Sequence, residues 1–263
     1  MVNLIINADD FGYNEGRTRA ILEFFGSGLI SNTTLMVNRP FAAQAVELSR
    51  AAGVDDRIGL HLNLTEGIPL TDPIKSDPLF CDATGAFSGR FHVSLKTRLR
   101  LPLASQAVLR EELAAQLQRF LDFGLPERHF DSHHHAHTDL SVAAVLFPLA
   151  RDMGFRSCRL SLRVRPTSRA LAKGLYKAVF NRRARKVFAT ADAFLGMGEF
   201  LRCLALWEGR TVEVMTHPLR CRNGFCDIAD QSAADYETPA VQLEDFLSRV
   251  SGRVRLIPSG ELA

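Results

Sequence analysis

The sequence predicts an α/β fold with a mainly parallel sheet, a single-domain, seven-stranded (β/α) barrel-like unit spanning residues 1–263. Two observations lead there. Short β-branched runs alternate with amphipathic stretches from one end of the chain to the other, the order that builds parallel βαβ units. Every concentrated polar cluster also falls at the end of a predicted strand: Asp9–Asp10, His61–Asn63, Asp131–His133 and His217. In parallel barrels that rim is where catalytic residues collect. An open doubly wound parallel sheet is the alternative with the same alternation.

The first strand is NLIIN (3–7), ahead of a helix over 14–26 with Asn14 as N-cap and Gly26 and Gly28 as stop signals. LISNTTLMV (29–37) supplies the second strand. In PFAAQAVELSRAAG, Pro40 opens a helix and Gly53 stands just past its end, the asymmetry helices prefer. RIGLHLNL (57–64) alternates strictly, with Ile58, Leu60, Leu62 and Leu64 on one face and Gly59, His61 and Asn63 on the other. An insertion (65–104) precedes a helix from about Ser105 to Phe123, closed by Gly124. RHFDSHHH (128–135) is the fourth strand, followed by a helix ending at Gly154. RSCRLSL (156–162), TVEVMTHP (211–218) and RVRLIP (253–258) complete the seven. The last helix has Pro239 near its start and Gly252 after its end.

A chain of 263 residues with 46% hydrophobic and 23% charged content can bury a substantial core. Its formal charge of +3 is too small to argue for nucleic acid. No stretch approaches the roughly 20 apolar residues of a spanning helix. The opening MVNLIINADDFG meets two aspartates too early for a secretion signal, so the expected location is cytoplasmic. The five cysteines (Cys81, Cys158, Cys203, Cys221, Cys226) form no C-x-x-C pair and read as reduced structural thiols.

Five of the eight histidines lie between His129 and His137. That density is either a metal site or the accident of a polar loop. The other clusters are equally ambiguous alone. Asp9–Asp10 can simply cap a turn, and adjacent residues on an extended strand point to opposite faces. At a strand end turning through Gly12 the two can diverge into one pocket. His61 alone reads as a satisfied core histidine, but it shares a polar face with Asn63. His217 precedes Pro218, which biases its backbone towards extended geometry. Together, two imidazoles and a carboxylate from separate strand ends suit a metal with open positions, as catalysis requires. Mixed nitrogen and oxygen ligands fit zinc, with magnesium, manganese, cobalt and nickel left open.

NADDFG, GLHLNLTEG, HFDSHHHAH and VEVMTHP occur in an order and spacing that resemble the YdjC-like carbohydrate deacetylases. That family includes the chito-oligosaccharide deacetylases and a hopanoid-biosynthesis-associated branch. The resemblance runs from about residue 3 to 218 and less distinctly beyond. It implies a barrel-like fold, a homodimer, one divalent metal ion, and removal of N-acetyl groups from amino sugars. By motif, Asp10, His61 and His133 resemble the metal ligands, Asp9 the catalytic base and His217 the acid. An activated water would attack an amide carbonyl polarised by the cation, and a protonated imidazole would release the amine. Arg159 can orient a carboxylate, or be a surface arginine. In an extended strand Asp131, His133, His135 and His137 share one face, with His134 opposite. Residues two apart are separated by roughly 6.6 Å, so geometry leaves His133 and His135 open as a pair. The family pattern selects His133, leaving Asn63, Asp131, His135 and His137 for substrate contact or support of the ligands.

Between Arg163 and Lys186 stand nine basic residues and no acidic one. Leu171, Leu175 and Val179 give this segment (163–188) a helical stripe, and SLKTRLRLPL (94–103) is a weaker echo. Such a stretch is either a solvated helix packed by its leucines or a surface for an anionic lipid or lipid-linked substrate, peripheral to the inner face of a membrane. No aromatic signature for nucleic acid accompanies it. Two other functions compete with deacetylation. A phosphoester hydrolase would often carry further bridging carboxylates. A non-catalytic glycan- or lipid-binding module would need neither base nor acid.

Overall fold

The first strand becomes the middle of the sheet. β1 (Val2–Phe11) sends Leu4, Ile6 and Ala8 into the main apolar core, while Asn7 and Asp9 on the opposite face are buried as well. Burial on both faces is what a parallel sheet covered by helices produces. The structure is a computed structural model, and it describes residues 1–162, 171–221, 224–227 and 243–262.

The other strands are β2 (Asn32–Leu35), β3 (Ile58–Leu62), β4 (His129–Ser132), β5 (Ser157–Cys158), β6 (Ala193–Leu195) and β7 (Thr211–Thr216). They follow the order β5-β4-β3-β2-β1-β7-β6, and every neighbouring pair is parallel. A hairpin of β8 (Pro218–Cys221) and β9 (Gly224–Asp227) stands apart. β10 (Val254–Leu256) pairs with Val2–Leu4 while β2 takes Asn7–Phe11, so the last strand fits against the foot of the first.

This sheet is curled. Laid flat, β5 and β7 would lie five spacings apart, roughly 24 Å at ~4.8 Å each. Yet Arg159, the residue after β5, sets its Nε 2.5 Å from Glu213 Oε1 on β7. Near-closure extends to the backbone. Cys158 N donates to Ala189 O at 3.1 Å, and Ala189 N to Arg156 O at 2.9 Å, just ahead of β6. The barrel-like fold, not the open doubly wound sheet, is what these residues form.

Two strands differ from the sequence pattern. β6 (Ala193–Leu195) holds the seventh place in the path, whereas RVRLIP contributes β10 beside it. Three residues are too few to show an alternation. β5 is two residues long where RSCRLSL suggested seven.

The larger helices lie close to their expected positions. α1 (Glu15–Gly26) is capped by Asn14, whose side chain accepts from Arg17 N at 2.9 Å. α2 (Ala42–Ala51) follows β2. The insertion folds into three short helices, α3 (Asp72–Lys75), α4 (Arg90–Val93) and α5 (Leu95–Leu99), before α6 (Leu103–Asp122). Buried Glu112 on α6 fastens the insertion, accepting from Leu70 N at 3.1 Å and Thr71 N at 2.8 Å. α7 (Leu140–Asp152), α8 (Leu171–Val187), α9 (Met197–Cys203) and α10 (Leu243–Val250) complete the set. Pro239 and residues 163–170 lie outside the described residues.

The stripe expected on α8 is reversed. Leu175 is 68% exposed, and Phe180 and Ala184 make the buried contacts instead. The side chain of Leu171 is outside the described set. Among the described residues no helix is long and apolar enough to cross a membrane.

Candidate metal centre and active site

The pocket begins with a kink in β1. Asp10 has φ +69°, and the β1–β2 register shifts between Ala8 and Phe11. A left-handed residue re-aims its side chain, and aspartate tolerates that region better than most. Asp9 and Asp10 therefore both remain buried and both enter the pocket. Gly12 turns the chain away at φ +80°, where a Cβ would stand 2.8 Å from Leu35 Cδ1.

Asp10 is the hub. Its Oδ1 lies 2.8 Å from His133 Nδ1 and 3.2 Å from His61 Nε2, while Arg17 Nη1 donates to Oδ2. One ligand atom from each of Asp10, His61 and His133 falls within 4.8 Å of the others. His61 is oriented from behind: its Nδ1 is 2.6 Å from Asp131 Oδ1 and 3.0 Å from Thr34 Oγ1. In the neutral ring, an Nδ1–H given to Asp131 leaves Nε2 as the bare lone pair. Neither His61 Nε2 nor His133 Nε2 makes a hydrogen bond of good geometry among the described residues, though Asp10 Oδ1 and Glu66 Oε1 stand 3.2 and 3.6 Å from them.

The second half of the pocket centres on Arg159, which is fully buried. Its guanidinium forks onto Asp9, Nη1 to Oδ2 at 2.8 Å and Nη2 to Oδ1 at 2.7 Å. It also pairs with Asp131 Oδ2 at 2.8 Å and with Glu213. Asn7 Nδ2 adds a third donor to Asp9, on Oδ1 at 2.8 Å. His217 Nε2 stands 3.8 Å from Asp9 Oδ2.

Charge in this pocket is unbalanced. Four buried carboxylates (Asp9, Asp10, Asp131, Glu213) meet two buried guanidiniums (Arg17, Arg159), an excess of two negative charges when all are ionised. Burial, against the opposing charge of Arg159, pushes Glu213 up to about 7. Near neutrality these carboxylates therefore exceed the guanidiniums by between one and two charges, an excess that a proton on His61 partly offsets. Burial alone would raise Asp9, but the charge and hydrogen bonds of Arg159 hold it below the usual carboxylate range. Asp10 behaves alike: hydrogen bonds from His133 and His61 overcome burial and hold it well down. Burial would depress His61, yet the Asp131 charge and the bonds to Asp10 and Asp131 push it up to about 10. A cluster that draws a proton this strongly is one that accepts a cation. One carboxylate and two imidazoles, with excess negative charge around them, fit a divalent ion.

The histidine run does not continue as a strand. β4 stops at Ser132, and His134 and His135 take left-handed φ values of 51° and 57° within a turn over His133–Thr138. The expected alternation of faces is therefore lost. His134, expected opposite His133, instead stacks on it at 4.0 Å between ring centres. His135 rests edge-on against Phe194, and its buried Nδ1 has no hydrogen-bond partner among the described residues. His137 turns inward, its Nδ1 2.6 Å from Ser132 Oγ and its Nε2 3.1 Å from Arg159 O. Both ring nitrogens of His137 are engaged, which leaves none to offer a sugar. Asn63 likewise serves the chain itself. Its Oδ1 accepts from Thr65 N at 3.1 Å and Glu66 N at 3.2 Å, shaping the turn that presents Glu66.

The YdjC-like protein family matches residues 3–249. The chain belongs to the YdjC-like family. It is 33% identical over 233 residues to a carbohydrate deacetylase of Geobacillus stearothermophilus, covering 88% of this chain and 83% of that protein. A carbohydrate deacetylase of Thermoanaerobacter pseudethanolicus is 29% identical, covering 89% and 87%. A crystal structure from Enterococcus faecalis V583, of a protein named as a candidate for cellobiose-phosphate cleavage, aligns with TM-score 0.71 and 26% identity over 100% of this chain and 99% of that one.

This YdjC-like pocket also holds residues that the sequence did not single out. Glu66 Oε1 lies 3.6 Å from His133 Nε2 and 3.9 Å from His134 Nε2, and Tyr13 Oη donates to Glu66 Oε2 at 3.1 Å. The bond to His133, outweighing burial, lowers Glu66 to about 2. Glu66 sits inside the quoted GLHLNLTEG motif, so position in the motif was its available signal. Glu213 likewise lies inside the quoted VEVMTHP motif, while Arg17 had no signal, since a lone charged residue in a helix reads as solvated.

Proposed function

We propose that this chain is a metal-dependent carbohydrate N-deacetylase, a single catalytic unit over residues 1–263 acting on an N-acetylated saccharide. The observation that carries the reading is the convergence of Asp10, His61 and His133 beside a separate Asp9–His217 pair. The curated relatives named as carbohydrate deacetylases support it. Asp10, His61 and His133 would hold one divalent ion, zinc or magnesium first among the candidates. When bound, it supplies Lewis acidity that polarises an amide carbonyl and makes water a better nucleophile.

The chain's own residues do the proton work. Arg159 keeps Asp9 ionised at neutral pH, ready to accept a proton. A carboxylate oxygen has two lone pairs. Among the described residues, Oδ1 of Asp9 is filled by Arg159 and Asn7, whereas Oδ2 takes one Arg159 donor. Oδ2, the oxygen facing His217, is thus the one that would take the proton. His217 would protonate the departing amine, the general-acid role an imidazole commonly takes.

The test is acetate release from a panel of N-acetylated saccharides after chelation and after adding back single metals, with a phosphorylated disaccharide as control. Metal-dependent acetate release is the expected result. Phosphate release without acetate would replace this reading with phosphoester hydrolysis.

A further inference from the structure

The insertion and α8 are far apart in sequence but adjacent in the fold. Arg98 Cζ lies 5.3 Å from the centre of the Tyr176 ring, and Tyr176 Oη accepts from Leu140 N at 3.0 Å. Arg98 also turns inward, its Nε 2.6 Å from Asp139 Oδ1. What remains outward is apolar. Val93 is 85% exposed, Leu95 62%, Leu99 49% and Leu103 80%, with Leu175 open across from them on α8. Single exposed aliphatics are ordinary, but a group of them marks an interaction site.

Cations are interleaved with these side chains. Arg90, Lys96, Arg100 and Lys173 are exposed. On α8 the stripe from Leu175 runs through Ala178 to Arg182 and Lys186, all exposed and at helical spacing. No aspartate or glutamate occurs in 90–103 or 171–187. The patch also borders the pocket mouth. A Cβ on Gly89, which precedes α4, would stand 3.8 Å from Thr65 Cβ, and Thr65 Oγ1 is 3.0 Å from His134 Nδ1.

We propose that this face docks the protein on an anionic lipid bilayer. The leucines enter the boundary between headgroups and acyl chains, and the cations lie among lipid phosphates. A second copy of the chain fits less well, because a two-fold contact would set the same cations against each other. Docking holds the pocket mouth at the bilayer, which assigns the substrate class as an N-acetylated saccharide carried on a lipid. That assignment rests on the deacetylase reading above; the docking itself does not.

The experiment is sedimentation of the full chain with phosphatidylcholine vesicles, with and without phosphatidylglycerol, at low and physiological salt. Binding is expected only to the anionic vesicles. Each surface cation contributes about fivefold near a charged bilayer, so Lys96→Gln, Arg100→Gln, Arg182→Gln and Lys186→Gln together should weaken binding by about 10²–10³-fold at low salt. Leu95→Ser, Leu99→Ser and Leu103→Ser together should also release the protein. Both variants should keep full acetate release from a soluble saccharide, since none of these residues touches the pocket. The proposal is overturned if the unmodified protein ignores anionic vesicles or binds neutral ones equally. It is overturned too if the serine variant binds as before, or if it dissociates a dimer that never binds vesicles. Vesicle binding without any acetate release would sink the deacetylase reading and leave docking intact.

Discussion

Replacing Asp9 by asparagine separates base from ligand. The side chain keeps its shape and one acceptor oxygen, and Asp10, His61 and His133 are untouched. Metal content should therefore stay close to that of the parent. Turnover should fall by about 10²–10⁴-fold, the usual contribution of a general base. Stability changes less. An amide nitrogen on the Oδ2 side cannot accept from Arg159 Nη1, so one charge-assisted hydrogen bond is lost, about 1.5–3 kcal/mol. Arg159 retains Asp131 and Glu213, which limits the damage to a single contact. For a chain of this size that is roughly a 3–8 °C fall in Tm. The assay pairs acetate release with elemental analysis of the same preparation and a thermal melt. If Asp9→Asn strips the metal while Asp10→Asn retains it, the two carboxylates are assigned the wrong way round. If activity falls only in proportion to folded protein, Asp9 is not a base.

His133→Ala should lose both metal and acetate release, whereas His135→Ala should keep metal with reduced turnover. Metal analysis decides, and metal loss in His135→Ala would show a two-histidine clamp that the ligand set omits. Acid should destabilise the fold through histidines buried neutral. Burial lowers His129 to about 4 and His135 and His137 to about 3. The unfolded chain then binds protons below pH ~6.5 that the native one refuses, so stability present above that pH is lost as pH falls towards 4. Glu213, raised to about 7, and Glu127, also raised by burial, act in the opposite sense above their unfolded values, but they are two groups against three. His129→Asn should flatten the pH dependence of denaturant midpoints by about one proton; an unchanged slope would show that His129 is already charged. Gly12→Ala should destabilise the fold by more than about 1 kcal/mol, because φ +80° and the approach of Leu35 and Ala42 leave no room for a Cβ. A denaturation curve identical to the parent would contradict that packing.

The parts of the fold visible in the sequence were those with long periods or strong punctuation. The strict alternation of residues 57–64 and the glycines closing α1, α2, α6 and α7 located those elements. β6 was invisible because three residues show no period, and β5 was overestimated because RSCRLSL looks extended well past its two paired residues. At the site, residue types and motif order brought out Asp9, Asp10, His61, His133 and His217, which the fold gathers into one pocket. What could not be read was backbone handedness. Three left-handed residues, Asp10, His134 and His135, decide where the acidic pair and the histidine run point, and a β-strand period says nothing about a residue that has left the strand. The burial of Arg17 and Glu213 was illegible for another reason. It depends on charge partners that no local pattern reveals, Asp10 at the kinked end of β1 for Arg17 and Arg159, 54 residues away, for Glu213.

Arg159 joins β1, β4 and β7 through their carboxylates, and β1 is flanked by β7 and β10. On a ribosome, β1 meets β2 soon after it emerges, but β7 and β10 exist only once most of the described chain has been made. Asp9 has no Arg159 to hold it until some 150 residues later, and its partner His217 comes later still. A nascent or truncated chain thus exposes the acidic end of β1 without the arginine that sets its charge or the imidazole that completes it. Under the proposed mechanism, competence for chemistry arrives only with β7 and the His217 that follows it, so a copy truncated before them would be inert.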